Sequence, residues 1–335
     1  MGVRLRVGII GLGPVWESRH AAALRALSDR FEVRAICDPI AHRAEQAGRQ
    51  WNARTCDSFR AITSSPDIDA ILLLSARWYG ALPILAACDA GKAVYCAASL
   101  DLSAEEADTV RNRVRQAGIA FMAEFPCRLA PATLRLKELM ATRLGPPRLL
   151  FCNQRIAISR ESGRAQSANL RQLIEMVDWC QYLVDDEPTS VVGAGHNSQA
   201  DDAGQDYLVM MLDFSKAGDV GTGPVAQIAC GSYVPDKWQE AAAFRRPANL
   251  QVVCAHGIAF LDLPNTLVWF DDAGQHNESL ESDRPVGEQL LLHFHRSVAS
   301  LVLQTASLDD AHRAHSIVIR AQQSYLEGHR VPCEW

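Results

Sequence analysis

The chain has 335 residues, of which 48% are hydrophobic and 21% charged, a composition typical of a soluble globular protein with room for two domains. Its formal net charge of −6 provides no basic surface, so we expect neither nucleic acid nor a membrane as a partner. The longest apolar runs are strand-sized, which predicts no membrane-spanning segment. The ten cysteines stand singly with no Cys-x-x-Cys pair, which predicts reduced thiols in a cytoplasmic protein and no metal site.

The first 125 residues alternate short apolar runs with helical patterns, as expected for a parallel sheet with crossover helices. The uniformly apolar run "AILLLS" indicates a central strand that is covered on both faces. Ser103 is a good N-cap for the helix that precedes the last strand. We predict an α/β domain over residues 1–125, with strands "RVGII", "FEVRAIC", "AILLLS", "AVYCA" and "AFMAEF".

After Pro131 the pattern changes to strands with period-two alternation. This change predicts a second domain over residues 126–335 with a large open, mainly antiparallel sheet. A helix "PATLRLKELMATRLG" opens the domain, a strong helix from Asn169 to Leu183 interrupts the strands, and two helical stretches end the chain. The predicted strands read "YLVMMLDFS", "VAQIACGSYV", "LQVVCAHGIAFLDL" and "TLVWFDD".

A glycine loop after the first strand indicates a nucleotide-binding turn. Gly11 permits the tight turn, and Gly13 lets a pyrophosphate approach the backbone. Asp38 ends the second strand, where a carboxylate would bind the adenosine ribose hydroxyls. An acid at this position favours NAD over NADP, because it repels a 2′-phosphate. The context predicts a Rossmann-type, doubly wound fold with Gly11, Gly13 and Asp38 as cofactor-binding residues.

Other features of the loop leave dinucleotide binding open. Asp38 and Pro39 together would also make a helix N-cap that needs no ligand. Pro14 has no amide hydrogen to give to a phosphate, and Glu17 places a negative charge in the first helical turn. Trp16 brings a large indole where close packing of helix on strand requires a small residue.

Matching stretches extend along nearly the whole chain, among them "GIIGLG…RHAAAL", "CDP", "SSPDIDAILLLS", "ILAACDAGKAVYC", "AEFPCRLAPATLRLKELM", "DYLVMMLDFS" and "LQVVCAHGIAFLDL". By their order and spacing the chain resembles the glucose–fructose oxidoreductase/inositol dehydrogenase (Gfo/Idh/MocA) family. The resemblance implies an N-terminal Rossmann domain and a C-terminal α/β domain with a large open sheet. It also implies NAD(H) or NADP(H) chemistry on sugars, inositols or related polyols, and a homo-oligomer formed through that sheet.

The family's active-site motifs are altered in this chain. Where the family has Glu-Lys-Pro, with the lysine near the nicotinamide, this chain has Ala97, Ala98 and Ser99. The family's helix motif Asp-x-x-x-His-x-x-Asp, with histidine as the usual acid/base, falls on Arg171, Glu175 and Asp178.

The family's Thr-Pro-Asn segment after the apolar strand is also replaced. The chain has Ser75, Ala76 and Arg77 there, followed by Trp78 and Tyr79. The resemblance implies that Ser75 contacts the cofactor. Trp78 and Tyr79 are candidates to stack on a sugar or nicotinamide face, although all of these residues are equally compatible with a surface loop.

The helix from Asn169 to Leu183 has two distinct faces. Arg171, Glu175, Asp178 and Tyr182 line the face opposite its apolar stripe. One interpretation is a solvated face with an Arg171–Glu175 pair worth about 0.2–0.5 kcal/mol. The other, which the resemblance favours, is a polar substrate-binding surface.

Two hypotheses follow from these residues. The first is an NAD(P)-dependent oxidoreductase with a degenerate site, acting on a sugar, inositol or related polyol. In it Glu175 would serve as acid/base, while Asp178, Arg171 and Arg128 would position the substrate. The alternative is a catalytically inactive binding or interaction protein that keeps the fold.

Overall fold

The computed structural model describes residues 4–13, 15–75, 78–97, 100, 102–157, 165–196, 207–216, 219, 221–234, 238–300 and 306–334. The chain forms two compact units, composed of Met1–Pro126 with Asp283–His312 and of Cys127–Ser282 with Arg313–Trp335. Pro14, Arg77, Ala98 and Ser99, which enter the sequence argument, lie outside the described residues.

The first unit is built on a six-stranded parallel sheet with strand order β3-β2-β1-β4-β5-β6. This order confirms the predicted Rossmann-type fold. Every residue of β4 is buried, as its uniformly apolar sequence predicts. The strands are β1 Leu5–Ile10, β2 Phe31–Cys37, β3 Arg54–Thr55, β4 Ala70–Leu73, β5 Ala93–Cys96 and β6 Phe121–Ala123.

Helices connect the strands of this sheet. Ser103 caps α5 as predicted, because its hydroxyl accepts from the Glu106 amide while the Glu106 carboxylate accepts from the Ser103 amide. The first helix differs from prediction, since Trp16–Ala21 forms a π turn before α1 begins. The helices are α1 Ala22–Ala26, α2 Ala41–Trp51, α3 Phe59–Thr63, α4 Leu82–Asp89 and α5 Ala104–Ala117.

The second unit contains a nine-stranded mixed sheet with order β14-β13-β12-β11-β7-β10-β9-β8-β15. The sheet is mainly antiparallel as predicted, but β7 and β10 at its centre pair in parallel. The predicted strand "LQVVCAHGIAFLDL" is a hairpin of two strands. The strands are β7 Pro147–Ala157, β8 Ser190–His196, β9 Tyr207–Asp213, β10 Val225–Val234, β11 Leu250–Cys254, β12 Gly257–Asp262, β13 Thr266–Asp271, β14 Gly274–Ser279 and β15 Val331–Pro332.

Three helices belong wholly to the second unit and two more complete the chain. The interrupting helix begins four residues earlier than predicted, and it packs on β7 and β10. In the part of the chain that the structure describes, no helix combines the length and apolarity needed to cross a membrane. The helices are α6 Pro131–Leu139, extended by a π turn over Met140–Leu144, α7 Ala165–Val184, α8 Gln239–Ala243, α9 Val286–Ala299 and α10 Ala306–Glu327.

The predicted domain division needs one correction. Residues 283–312, which the prediction places in the C-terminal domain, belong to the first unit. The reason is the packing of α9. Gly287 lies against Arg19 and Ala23, Phe294 packs edge-on against Tyr95 of β5, and His295 does the same against Phe31 of β2. Sequence periodicity identifies α9 as a helix but does not say which sheet it covers.

A buried charge cluster joins the π turn to the end of β6. Glu124 is fully buried, and its carboxylate accepts from Arg19 and lies 2.9 Å from His20 Nε2. The π turn lets Trp16 and His20 both face the interior. Burial raises the pKa of the Glu124 carboxyl, but the bonds from His20 and Arg19 outweigh it, and the net pKa is lower than usual.

We predict that Glu124→Gln lowers the free energy of unfolding by about 3 kcal/mol at neutral pH, because it removes the buried carboxylate that pairs with Arg19 and bonds to His20. Urea denaturation measures the change. Since the pKa of Glu124 is lowered in the folded state, its contribution is present above the ordinary carboxyl range near 4.5 and declines as the pH falls below it. Asp89→Asn, which breaks an exposed pair with Arg113, is the control and should cost under about 1 kcal/mol. Equal effects of the two substitutions would contradict this account of the cluster.

Candidate cofactor and substrate sites

The two glycines of the loop after β1 permit a close approach to the end of β4. Gly11 has φ +71°, and a Cβ there would lie 2.6 Å from the Ser75 carbonyl oxygen. A Cβ at Gly13 would lie 2.4 Å from the Leu74 carbonyl oxygen. The loop and the end of β4 are therefore in backbone contact, and Ser75 lies beside the loop.

The Leu12 peptide between these glycines is held from both sides. Its amide donates to Asp38 Oδ2 at 2.7 Å, and its carbonyl accepts from the guanidinium of Arg43. The second carboxylate oxygen of Asp38 accepts from the Ile40 amide at 2.9 Å. Each carboxylate oxygen has two lone pairs, so each retains one for a further donor such as a ribose hydroxyl.

The alternative in which Asp38 is the N-cap of α2 is wrong. The N-cap is Ile40, and no side chain caps this helix. Asp38 lies two residues earlier, and its bond to the Ile40 amide closes a local turn. Its carboxylate therefore links the glycine loop to the residue that precedes α2.

Trp16 packs toward α2 and is only 4% exposed. Its ring lies 5.9 Å from that of Trp51 with the planes tilted by 52°, and Arg25 stacks over the Trp51 ring at 5.2 Å. The indole is thus a contact between helices, which is why the π turn tolerates it. Glu17, by contrast, is exposed in the first helical turn.

Trp78 and Tyr79 lie in the first unit, in the segment after β4. The Tyr79 hydroxyl is 3.6 Å from Cys37 Sγ at the end of β2, and its ring packs edge-on against Phe59. Burial, together with Cys37 and Asp38, raises the pKa of Tyr79 above its usual value. Trp78 is 67% exposed. Tyr79 therefore connects the loop after β4 to the carboxyl end of β2.

The two acids on the polar face of α7 are buried, and each is paired with an arginine. Arg171 Nε donates to Glu175 Oε1 at 3.0 Å, and Glu175 is only 9% exposed. Arg128 forms a two-pronged pair with Asp178, whose exposure is 1%, with Nε to Oδ2 at 2.8 Å. The interpretation of this face as solvated is wrong, because Glu175 and Asp178 are buried. The turn before α6 supplies Arg128, which neutralises the charge of Asp178.

Two further contacts fix the surroundings of these pairs. Burial and the nearby charge of Glu175 raise the pKa of Cys230 on β10 to about 12, which makes this thiol inert. Lys137 on α6 lies over the ring of Tyr182 at 4.2 Å and donates to its carbonyl oxygen. This lysine therefore binds a carbonyl group in the last turn of α7.

The paired acids and arginines define what this face can do chemically. A neighbouring arginine favours the ionised carboxylate, which is the form that accepts a proton. The two pairs are formally neutral, and they offer both hydrogen-bond donors and acceptors to hydroxyl groups.

The N-terminal unit matches a known family. A family model described as an oxidoreductase family with an NAD-binding Rossmann fold, Gfo/Idh/MocA, matches residues 5–125. The glycine loop, Asp38 and the six-stranded sheet all lie within this match. The first unit is thus similar to this family of NAD-binding oxidoreductases.

Individual members are similar at moderate levels. Inositol 2-dehydrogenase 3 of Saccharopolyspora erythraea is 29% identical over 218 residues, 62% of this chain and 63% of that protein. The chain thus spans less than two thirds of the length of that relative. The structure of an aldose–aldose oxidoreductase from Caulobacter crescentus has a TM-score of 0.84 at 16% identity, over 98% of this chain and 99% of that one. A levoglucosan dehydrogenase in complex with NADH and levoglucosan has a TM-score of 0.82 at 17% identity, over 99% and 100%.

Sequence reasoning missed the residues that hold the glycine loop and its helix. Arg43 bonds the loop carbonyl, and Glu124 anchors Arg19 and His20. A signal for Arg43 exists, since it lies on the first turn of α2 just after Asp38. No local pattern links Glu124 to residues more than 100 positions earlier.

We predict that Arg128→Met destabilises the protein by about 3 kcal/mol in urea denaturation, because it leaves the Asp178 charge buried without its partner. The double variant Arg128→Met with Asp178→Asn should recover most of this loss, since it removes both charges. A single variant as stable as the parent would show that the pair does not balance a buried charge.

Proposed function

We propose that the protein is an NAD-dependent oxidoreductase that acts on a sugar, inositol or related polyol. The similarity of the first unit to an NAD-binding oxidoreductase family supports the class of reaction. The curated relative named as an inositol 2-dehydrogenase supports the class of substrate. The single observation that carries the proposal is the bond between Asp38 and the glycine-loop amide of Leu12, which gives this chain a formed nucleotide-binding turn.

The residues of the first unit fit a dinucleotide. Gly11 adopts the positive φ that the turn needs, Trp16 packs away toward α2, and Asp38 retains acceptor capacity. In the proposal Gly11, Gly13 and Ser75 hold the phosphates and Asp38 holds the ribose. The charge of Asp38 disfavours a 2′-phosphate and therefore favours NAD over NADP. When bound, the nicotinamide supplies a hydride acceptor or donor.

Glu175 is the proposed proton acceptor for the reacting hydroxyl. Its carboxylate oxygen Oε1 accepts a hydrogen bond from Arg171, which orients the carboxylate. Asp178 and Arg128 form a rigid pair one helical turn further on, suited to position substrate hydroxyls. Substrate hydroxyls would bind to these groups and to Arg171, while the burial of the face excludes bulk water.

One alternative function has its own support. A non-catalytic binding protein is favoured by the altered motif, in which Ala98 stands where the family has its lysine. It is also favoured by the engagement of both acids of α7 with arginines. In that case Glu175 and Asp178 serve stability or ligand binding only.

We predict that NADH binds in the micromolar range and NADPH more weakly, and that the protein reduces NAD⁺ with a member of a polyol panel. Calorimetry measures the binding, and absorbance at the NADH band measures turnover. Glu175→Gln should lower kcat by about 10²–10⁴ with the NADH affinity unchanged, because one proton acceptor is lost. Glu281→Gln, at an exposed position, is the matched control.

The outcomes of this experiment separate the hypotheses. No NADH binding at millimolar concentration would favour the non-catalytic alternative. Turnover that survives in the Glu175→Gln variant would remove Glu175 from the mechanism but leave the oxidoreductase proposal intact.

We also propose that the protein associates with a second copy of itself through its large sheet. A row of apolar side chains crosses five strands on one face of this sheet, and each of them is half-buried or exposed. Neighbouring residues along these strands point to the other face of the sheet and are buried there. A continuous row of exposed apolar side chains on one face of a sheet is typical of an interaction surface. The row, in order of pairing, is Val225, Leu149, Val253, Ile258 and Phe270.

We predict that Leu149→Asp shifts the protein toward the monomer mass of 36.8 kDa in light scattering, because it places a charge within the row. Leu326→Asp makes the same substitution at an exposed position of α10 and should leave the mass unchanged. A parent protein that is already monomeric would contradict the proposed association.

A further inference from the structure

Two cysteines lie opposite each other on neighbouring strands, at the edge of the parallel sheet that β3 forms. The register of β2 and β3 pairs Ile36 with Thr55, and the Cys56 amide continues the ladder by donating to the Ile36 carbonyl oxygen at 2.9 Å. This register places Cys56 opposite Cys37, the last residue of β2. Residues paired in neighbouring parallel strands direct their side chains to the same face, so the two thiols lie side by side.

The spacing of the strands suits a disulfide bond between these thiols. Neighbouring strands lie about 4.8 Å apart, and the Cα atoms of a disulfide lie about 4.4–6.8 Å apart. The Cβ atoms of a disulfide are closer, at about 3.8 Å, so a bridge between Cys37 and Cys56 requires an approach of about 1 Å. Both cysteines are free thiols in this structure. A small movement of the strand ends is therefore enough to join them.

The two thiols differ in exposure and in their surroundings. Cys37 is buried, and burial together with the neighbouring Cys56 raises the pKa of its thiol. Cys56 is half-buried, and the guanidinium of Arg54, which pairs with Asp67, also interacts with it. Reactive cysteines lie at partly exposed positions beside cationic side chains, whereas buried cysteines are inert toward reagents in solution. Cys56 is therefore suited to react first with an oxidant, and Cys37 to react second.

We infer that Cys37 and Cys56 form a reversible disulfide when a peroxide is the oxidant. The Cys56 sulfur attacks one oxygen of hydrogen peroxide, which breaks the O–O bond, forms a sulfenic acid and releases water that takes up the thiol proton. The Cys37 sulfur then attacks the Cys56 sulfur, and the hydroxyl group leaves with the Cys37 proton as a second water. Two thiols thus lose two electrons, and one peroxide is reduced to two waters. A thiol reductant reverses the bond by exchange.

Cys37 connects this pair to the glycine loop. Its carbonyl oxygen accepts from the Gly11 amide at 2.8 Å, and the next residue, Asp38, accepts from the Leu12 amide. The Tyr79 hydroxyl lies 3.6 Å from the Cys37 sulfur. A movement of Cys37 by about 1 Å toward β3 disturbs these contacts. The disulfide therefore weakens dinucleotide binding, a consequence that rests on the proposed function.

Mass spectrometry of the full chain before and after treatment with hydrogen peroxide tests the formation of the bridge. The oxidised protein should lose the mass of two hydrogen atoms, and a non-reducing protease digest should join the peptides that contain Cys37 and Cys56. Dithiothreitol should restore the parent mass. Cys56→Ser should give no such link. Cys127→Ser changes the other half-buried cysteine, so it is the matched control and should form the bridge as the parent does.

Calorimetric titration with NADH tests the consequence for the glycine loop. The reduced protein should bind NADH about tenfold more tightly than the peroxide-treated protein, a difference equal to the loss of about one hydrogen bond. Cys56→Ser should bind NADH equally well before and after peroxide treatment. Thermal unfolding checks that this variant folds.

The outcomes separate this inference from the proposed function. If peroxide does not link Cys37 to Cys56, or if the linked protein binds NADH as tightly as the reduced one, the inference is overturned and the proposed function stays in place. A bridge that forms in a protein whose reduced form does not bind NADH would support the thiol pair and remove the proposed function.

Discussion

The backbone of Leu12 is the point on which the structure of the glycine loop in the first unit depends. Asp38 accepts from its amide, and Arg43 donates to its carbonyl, so the loop after β1 is fixed to the start of α2. Gly11 and Gly13 make this arrangement possible, because a side chain at either would collide with the backbone after β4. One pair of hydrogen bonds thus orders the loop, directs Asp38 toward it and defines where a ribose would bind.

Arginine neutralises buried acids throughout the chain. Only four of the 33 basic residues are lysine. Arg19 holds Glu124 in the first unit, and Arg128 holds Asp178 in the second. The planar guanidinium can form two parallel bonds to one carboxylate, which suits sites with little water. Burying a charge is costly without such a partner, so these pairs also fix the elements that carry them.

The same pairs explain how the family's chemistry could be rearranged. Glu175 is buried, and Arg171 lies one turn before it on α7. The two residues are therefore coupled physically, because the guanidinium and the carboxylate balance each other's charge.

Much of this protein was determined by its local sequence. Apolar runs and the Gly-x-Gly turn identified the parallel sheet, and Ser103 marked the start of α5, because strand burial and helix capping depend on neighbouring residues. The sequence left three questions open: where Trp16 packs, whether the polar face of α7 is solvated, and which sheet α9 covers.

Only the tertiary structure decided these, since each depends on a distant partner: Trp51 for Trp16, Arg128 for Asp178, and Tyr95 for Phe294. Hydrophobic periodicity records that a side chain is suited to burial. It carries no information about the residue against which that side chain is buried. The role of a buried charge can likewise be interpreted only once its partner is known.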